Sequence, residues 1–128
     1  MPEHDYGFAP AAGMRTFGEQ LRHLATVVYL TAATMRQEQS RYAPGERNDG
    51  PGAIQSKESV LKYLAEAFSE VRAAVGGLTD AAALEPIPTY FGPQTRARLI
   101  SGVLQHSYNH YGQLVVYARL RGVAPPFG

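Results

Sequence analysis

Two of the chain's four histidines, His106 and His110, stand four residues apart in the stretch LQHSYNHYGQLVVYARLRGVAPP. On a helix, residues four apart are neighbours on one face, with about 5–6 Å between Cβ atoms, so both imidazoles can aim at one point. That pattern suits a divalent ion. Two nitrogens rarely hold one alone, and a catalytic site needs a third protein ligand plus an open position for water or substrate. His23, in the middle of the first strongly amphipathic stretch, is the obvious third ligand. His4 lies near a loose terminus and is a poor one. The chain has no cysteine, which excludes disulfides and thiolate metal sites and leaves His, Asp and Glu as ligands. The plain alternative is that two histidines on a long helix make hydrogen bonds or face water.

The spacing is not the H-E-x-x-H of zinc proteases, because Ser107 stands where that motif has its glutamate, so no built-in general base is present. Glu19, one turn before His23, is the nearest carboxylate that could close the set into a four-ligand structural site. Asn109 and Gln113 flank the pair and could orient an imidazole from behind. Tyr29, Tyr108, Tyr111 and Tyr117 lie on the histidine-bearing segments. Their simplest role is packing with a polar tip, and binding a ligand is the alternative. Ser101 and Ser107 fall mid-helix, where serine usually bonds a backbone carbonyl. No phosphate-binding glycine loop and no cysteine nucleophile occur. Three imidazoles suit Zn, Ni, Fe and Cu alike, and Mn is kept as a further candidate.

These residues need helices to position them. Thr16 and Glu19 form a T-x-x-E capping box, and Phe17, Leu21, Leu24 and Val28 repeat at helical spacing, predicting a helix over about 16–39. SRYAPGERNDGPGA reads as a loop. Its length makes it mobile or functional. Ser56 is a plausible N-cap for a second helix over 57–76, with Val60, Leu61, Leu64, Phe68, Val71 and Val75 as its buried stripe and Gly76-Gly77 as its stop. Thr79 caps a short turn. A third long helix runs over about 93–121, with Pro93 at its first position and Arg119 and Arg121 complementing the dipole at its end. Gly122 closes it, and Pro125-Pro126 prevent continuation. Leu99, Val103, Leu114 and Tyr117 share a stripe with the histidine pair, so that pair faces the bundle interior. Residues 1–15 read as extended, and no segment alternates long enough to predict a sheet. The expected fold is all-α: one domain over 1–128, a helical bundle with antiparallel neighbours, its linkers long enough for crossovers.

The net charge is +1, with ten Arg and two Lys scattered rather than clustered, which argues against nucleic acid. No signal peptide is visible at the start. No apolar run approaches the roughly 20 residues needed to span a bilayer. The expected location is cytoplasmic, with no membrane partner.

RTFGEQLRHLA followed by H-x-x-x-H-x-G-Q-L-V-x-Y-x-R-x-x-G-x-x-P-P resembles the DinB-like family, also called DinB/YfiT-like metalloenzymes, over essentially the whole chain. The resemblance implies a bundle of the DinB-like four-helix type. One histidine from the family's second helix and two from its fourth bind a divalent ion, by position His23, His106 and His110. It further implies a metal-dependent enzyme acting on a small molecule, of the thiol-dependent transferase or hydrolase type, with a low-molecular-weight thiol as the expected partner. The alternative is a non-catalytic or degenerate binding or stress-associated module. Catalytic residues beyond the ligands are not identified. Such domains carry a further helix ahead of the segment at which this chain begins, so only three of four long helices are expected. That would leave an apolar stripe of the kind that marks partner surfaces, and a homodimer covering it is the expectation.

Overall fold

A computed structural model describes residues 1–126. It is mostly helical: α1 (Phe17–Arg36), α2 (Lys57–Gly76), the short α3 (Asp80–Leu84) and α4 (Arg96–Leu120), with single 3-10 turns at Glu3–Asp5 and Glu46–Asn48. The all-α expectation is met, with α1, α2 and α4 as the three long helices.

α1 is the axis of the bundle. Its start is fixed by a complete capping box: Thr16 Oγ1 accepts from the Glu19 amide and Glu19 Oε2 accepts from the Thr16 amide. Burial extends almost around the helix, from Phe17 and Leu21 to Ala25, Val28, Tyr29 and Met35. A helix apolar on so many sides needs neighbours on more than one. α2 and α4 supply them, and it is α1 that carries their principal packing.

Antiparallel pairing is realised by α1 and α4, where Gln20 meets Gln113 and Met35 meets Arg96. α1 and α2 instead run parallel: Thr26 bonds Tyr63, Tyr29 bonds Glu66 and Arg36 bonds Glu70. The long connection between them makes this possible, since it carries the chain back along α1 before α2 begins.

Several boundaries move from their expected places. α1 stops at Arg36 rather than near residue 39, because Gln37 turns left-handed (φ 58°) and its amide bonds Ala33 O and Thr34 O. α4 starts at Arg96 rather than Pro93. Residues 86–87 and 94–95 form a two-residue antiparallel pair that was not expected, and the helix is capped by Thr95, whose side chain accepts from the Arg98 amide. Gly122, left-handed at φ 71°, follows the C-cap residue Arg121. Ser56 caps α2 and Thr79 caps α3, both as read from the sequence. The buried stripe of α2 is rotated: Val60, Tyr63, Ala67 and Val71 face inward, Leu64 and Phe68 pack partly buried against the core, and Leu61 and Val75 are exposed.

The N-terminal segment is not simply extended. Tyr6 packs edge-on against Phe17, and Phe8 against Tyr117. Gly18 passes so close to Tyr6 that a Cβ there would lie 3.3 Å from Tyr6 Cδ1. Buried Asp5 accepts from Arg121 Nε at 2.7 Å, so Arg121 has a specific partner beyond the helix dipole. Among the described residues, no helix is long and apolar enough to cross a membrane.

Candidate metal centre

His23 stands in the middle of α1, with Gln20 one turn before it and both side chains buried. Opposite, α4 carries His106 and His110 on adjacent turns. Antiparallel packing brings the two helices together at this level, and the three imidazoles form one group. Ring centroids lie 4.3 Å apart for His106 and His110, 4.9 Å for His23 and His110, and 5.2 Å for His23 and His106. One ring nitrogen from each lies within 4.8 Å of the others. Bonds to a zinc-like ion are roughly 2.0–2.1 Å, so small rotations of the rings would close the set around a single ion.

The electrostatics favour neutral rings. Burial pushes the His23 pKa down, the nearby Arg15 guanidinium adds to this, and the Asn48 carbonyl and Asp49 carboxylate oppose it. His106 is lowered by burial, then by His23 and Arg15. His110 is lowered to about 4 by burial and by the repulsion of His106, His23 and Arg15, with Gln113 working in the opposite direction. A neutral imidazole keeps the lone pair that a metal needs.

His23 is held from behind. Its Nδ1 lies 3.1 Å from the Asn48 carbonyl oxygen, which only accepts, so Nδ1 carries the proton and donates. That leaves Nε2 as the lone-pair nitrogen. The other two rings each keep an unsatisfied nitrogen: His106 Nε2 and His110 Nδ1 are buried without a hydrogen-bond partner, as is Gln20 Oε1. Leaving a buried polar atom unsatisfied costs about 1–3 kcal/mol each, and most such atoms in folded proteins have a partner. Orphaned nitrogens on two of three convergent, neutral imidazoles fit an ion. With three protein ligands, a tetrahedral ion would keep one position open, the pattern of catalytic rather than structural sites.

The three histidines singled out in the sequence are thus brought together. The other candidates are placed elsewhere. His4 is exposed beside Asp5. Glu19 is used in the helix cap rather than at the ring cluster. Gln113 Oε1 accepts from Gln20 Nε2 at 2.5 Å, one turn along the α1–α4 seam from the histidines, and Asn109 lies within 3.5 Å of Gln113. Ser107 bonds the Val103 carbonyl, the ordinary role for a helical serine. Tyr29 is part of an aromatic cluster with Tyr42 and Tyr63, and Tyr117 donates to the Arg15 carbonyl. Tyr108 is exposed.

Sequence reasoning did not find Arg15, Asn48, Asp49 or Gln20. The signal for the loop residues was only R-N-D-G, a turn-forming string whose residues tolerate left-handed backbone.

Residues 1–114 match the family model described as the DinB superfamily. No curated protein matches the chain.

Proposed function

Because this chain belongs to the DinB superfamily, we propose that it binds a divalent ion through His23, His106 and His110 and is a metal-dependent enzyme acting on a small molecule. The observation that carries the reading is the convergence of three neutral imidazoles, His23 and His110 buried and His106 half-buried, two of them with nitrogens that no protein group satisfies. Zn, Ni and Fe are the candidate ions that an all-nitrogen donor set suits alike, with Mn kept as a further one.

When bound, such an ion supplies Lewis acidity and lowers the pKa of a water or thiol in its open position. The protein's own contribution is arrangement. α1 and α4 hold the ligands at fixed spacing, burial keeps the rings unprotonated, and the Asn48 carbonyl orients His23. A low-molecular-weight thiol is the proposed substrate class, with transfer or hydrolysis as the reaction type. The chain is further proposed to act as a homodimer. Support comes from the outward side of α4, where Leu104, Tyr108, Val116 and Leu120 are each more than half exposed. A stable, well-folded monomer in light scattering at micromolar concentration would remove that part.

The test of the site is metal analysis of untagged protein beside His106→Ala, at pH 7 or above so that imidazole protons do not compete. Stoichiometric metal in the parent, or a gain in thermal stability on adding nickel, zinc or manganese, is expected. Both should vanish in the variant. An ion at one hundred times its Kd stabilises by about 2.7 kcal/mol, so absence of any shift with all three ions would defeat the reading.

A further inference from the structure

The turn behind His23 is built more firmly than a surface loop requires. Arg15 Nε donates to Asp49 Oδ1 at 2.5 Å, and Arg15 Nη2 to the Arg47 carbonyl at 2.9 Å. Arg22 Nε donates to the Asp49 carbonyl at 2.6 Å, and Arg22 Nη1 to the Ile54 carbonyl at 3.0 Å. The amides of Asp49 and Gly50 bond the Glu46 and Pro44 carbonyls. Arg47 and Asn48 are both left-handed, at φ 57° and 59°, a conformation that non-glycine residues adopt only at a cost. Gly50 is left-handed too, and a Cβ there would sit 2.3 Å from Thr26 Oγ1, so the turn lies directly on α1. Two arginines and strained backbone therefore hold Asn48 O and Asp49 Oδ1 at 3.1 Å and 3.8 Å from one nitrogen of His23.

We propose that the 46–50 turn is a tautomer lock, in which Asp49, braced by Arg15, is a positioning residue that keeps the His23 proton on Nδ1 and so presents Nε2 to the ring cluster. A neutral imidazole can carry its proton on either nitrogen. Binding through Nε2 requires the proton on Nδ1, and a carbonyl or carboxylate behind a ligating histidine sets that choice. Here both kinds of acceptor face the same nitrogen. The carbonyl accepts the bond, and the carboxylate favours the partial positive charge of Nδ1–H. Arg15 fixes the carboxylate where it can do this. Tyr117 on α4 donates to the Arg15 carbonyl at 2.9 Å, so the brace is tied to the helix that supplies the other two rings.

The inference rests on the metal reading for its purpose but can be measured without metal. The histidine ring nitrogens of metal-free protein at pH 7.5 would be recorded by long-range 1H–15N NMR, for the parent, Asp49→Asn, Asp49→Glu and Arg15→Gln. Zinc affinity would be measured on the same samples by chelator competition. The parent should show His23 as the Nδ1–H form. Asp49→Asn should move it toward a mixture and weaken zinc about tenfold to a hundredfold. Asp49→Glu should restore part of both, and Arg15→Gln should shift both in the same direction by less. A merely structural role would lower the melting temperature and leave the His23 tautomer unmoved. His23 fully Nδ1–H in Asp49→Asn would overturn the proposal, and Arg15→Gln decides in the same way if that variant does not fold. If the parent binds no zinc, the metal reading is decided separately by the other ions and the tautomer measurement alone decides this one.

Discussion

On its α2 side, α1 packs Ala25, Val28, Tyr29 and Ala32 in one cluster with Tyr63, Ala67 and Val71. The polar groups there have partners: Thr26 Oγ1 bonds both the Arg22 carbonyl and Tyr63 Oη. On its α4 side, at the level of His23, α1 buries imidazoles and an amide, and three of their atoms bond nothing. At that level the same helix is thus closed and satisfied toward one neighbour, and polar and partly unsatisfied toward the other. A seam built only for stability would resemble the first. The second accepts a cost of the kind that functional sites carry.

Tyr63→Ala should break the satisfied seam most severely. It removes a 2 % exposed ring that stacks on Tyr29, and truncating a large buried aromatic costs about 3–5 kcal/mol. Urea unfolding of metal-free protein would measure it, and a loss under 1 kcal/mol would mean that this seam is not the main support.

Acid should act on the other seam. His110 has a folded pKa of about 4, below the unfolded value near 6.5. Above pH 6.5 the ring is neutral in both states and contributes no pH dependence. As pH falls below 6.5, the unfolded chain takes up a proton that the native state refuses, so stability is lost progressively down to about pH 4. The full loss is roughly 3 kcal/mol, and the lowered values of His23 and His106 act in the same direction. His110→Leu should flatten this slope. If the parent and the variant show equal stability–pH curves between pH 7 and 4 without metal, the electrostatic reading of the cluster is wrong.

The smallest effect sharpens the contrast. At pH 7.5 and without metal, His110→Leu should change stability by under about 1 kcal/mol, or raise it, because an apolar group replaces one with an unpaired nitrogen. A loss comparable to that of Tyr63→Ala would show that His110 has a structural partner.

The helices and the convergence of the three histidines were legible because side-chain type and spacing encode them. A T-x-x-E box starts α1, Ser56 starts α2, and H-x-x-x-H on α4 needs only helical geometry to converge. What escaped depends on backbone. Gln37 ends α1 through a left-handed turn that its side chain does not announce. The pairing of 86–87 with 94–95 is too short to leave an alternating pattern. The acceptor behind His23 is the Asn48 main-chain carbonyl, aimed by left-handed residues at 47 and 48, and any residue type has a carbonyl. The direction of α2 was hidden too, since a helix's amphipathic stripe is the same whichever way its neighbour runs.

That parallel arrangement sets an order of events in folding. Thr26 and Tyr63, which join α1 to α2, are 37 positions apart in sequence, whereas Gln20 and Gln113, which join α1 to α4, are 93 apart. Closing the longer loop costs about 0.8 kcal/mol more in chain entropy, and part of the seam it forms is polar and unsatisfied. The α1–α2 pair should therefore consolidate in the folding transition state before α4 docks. Truncations at Tyr63 should then slow folding, while those at Val103 mainly hasten unfolding. The three imidazoles would then come together only at the last step, so the capacity to capture an ion would be a signature of the completed bundle and of nothing earlier.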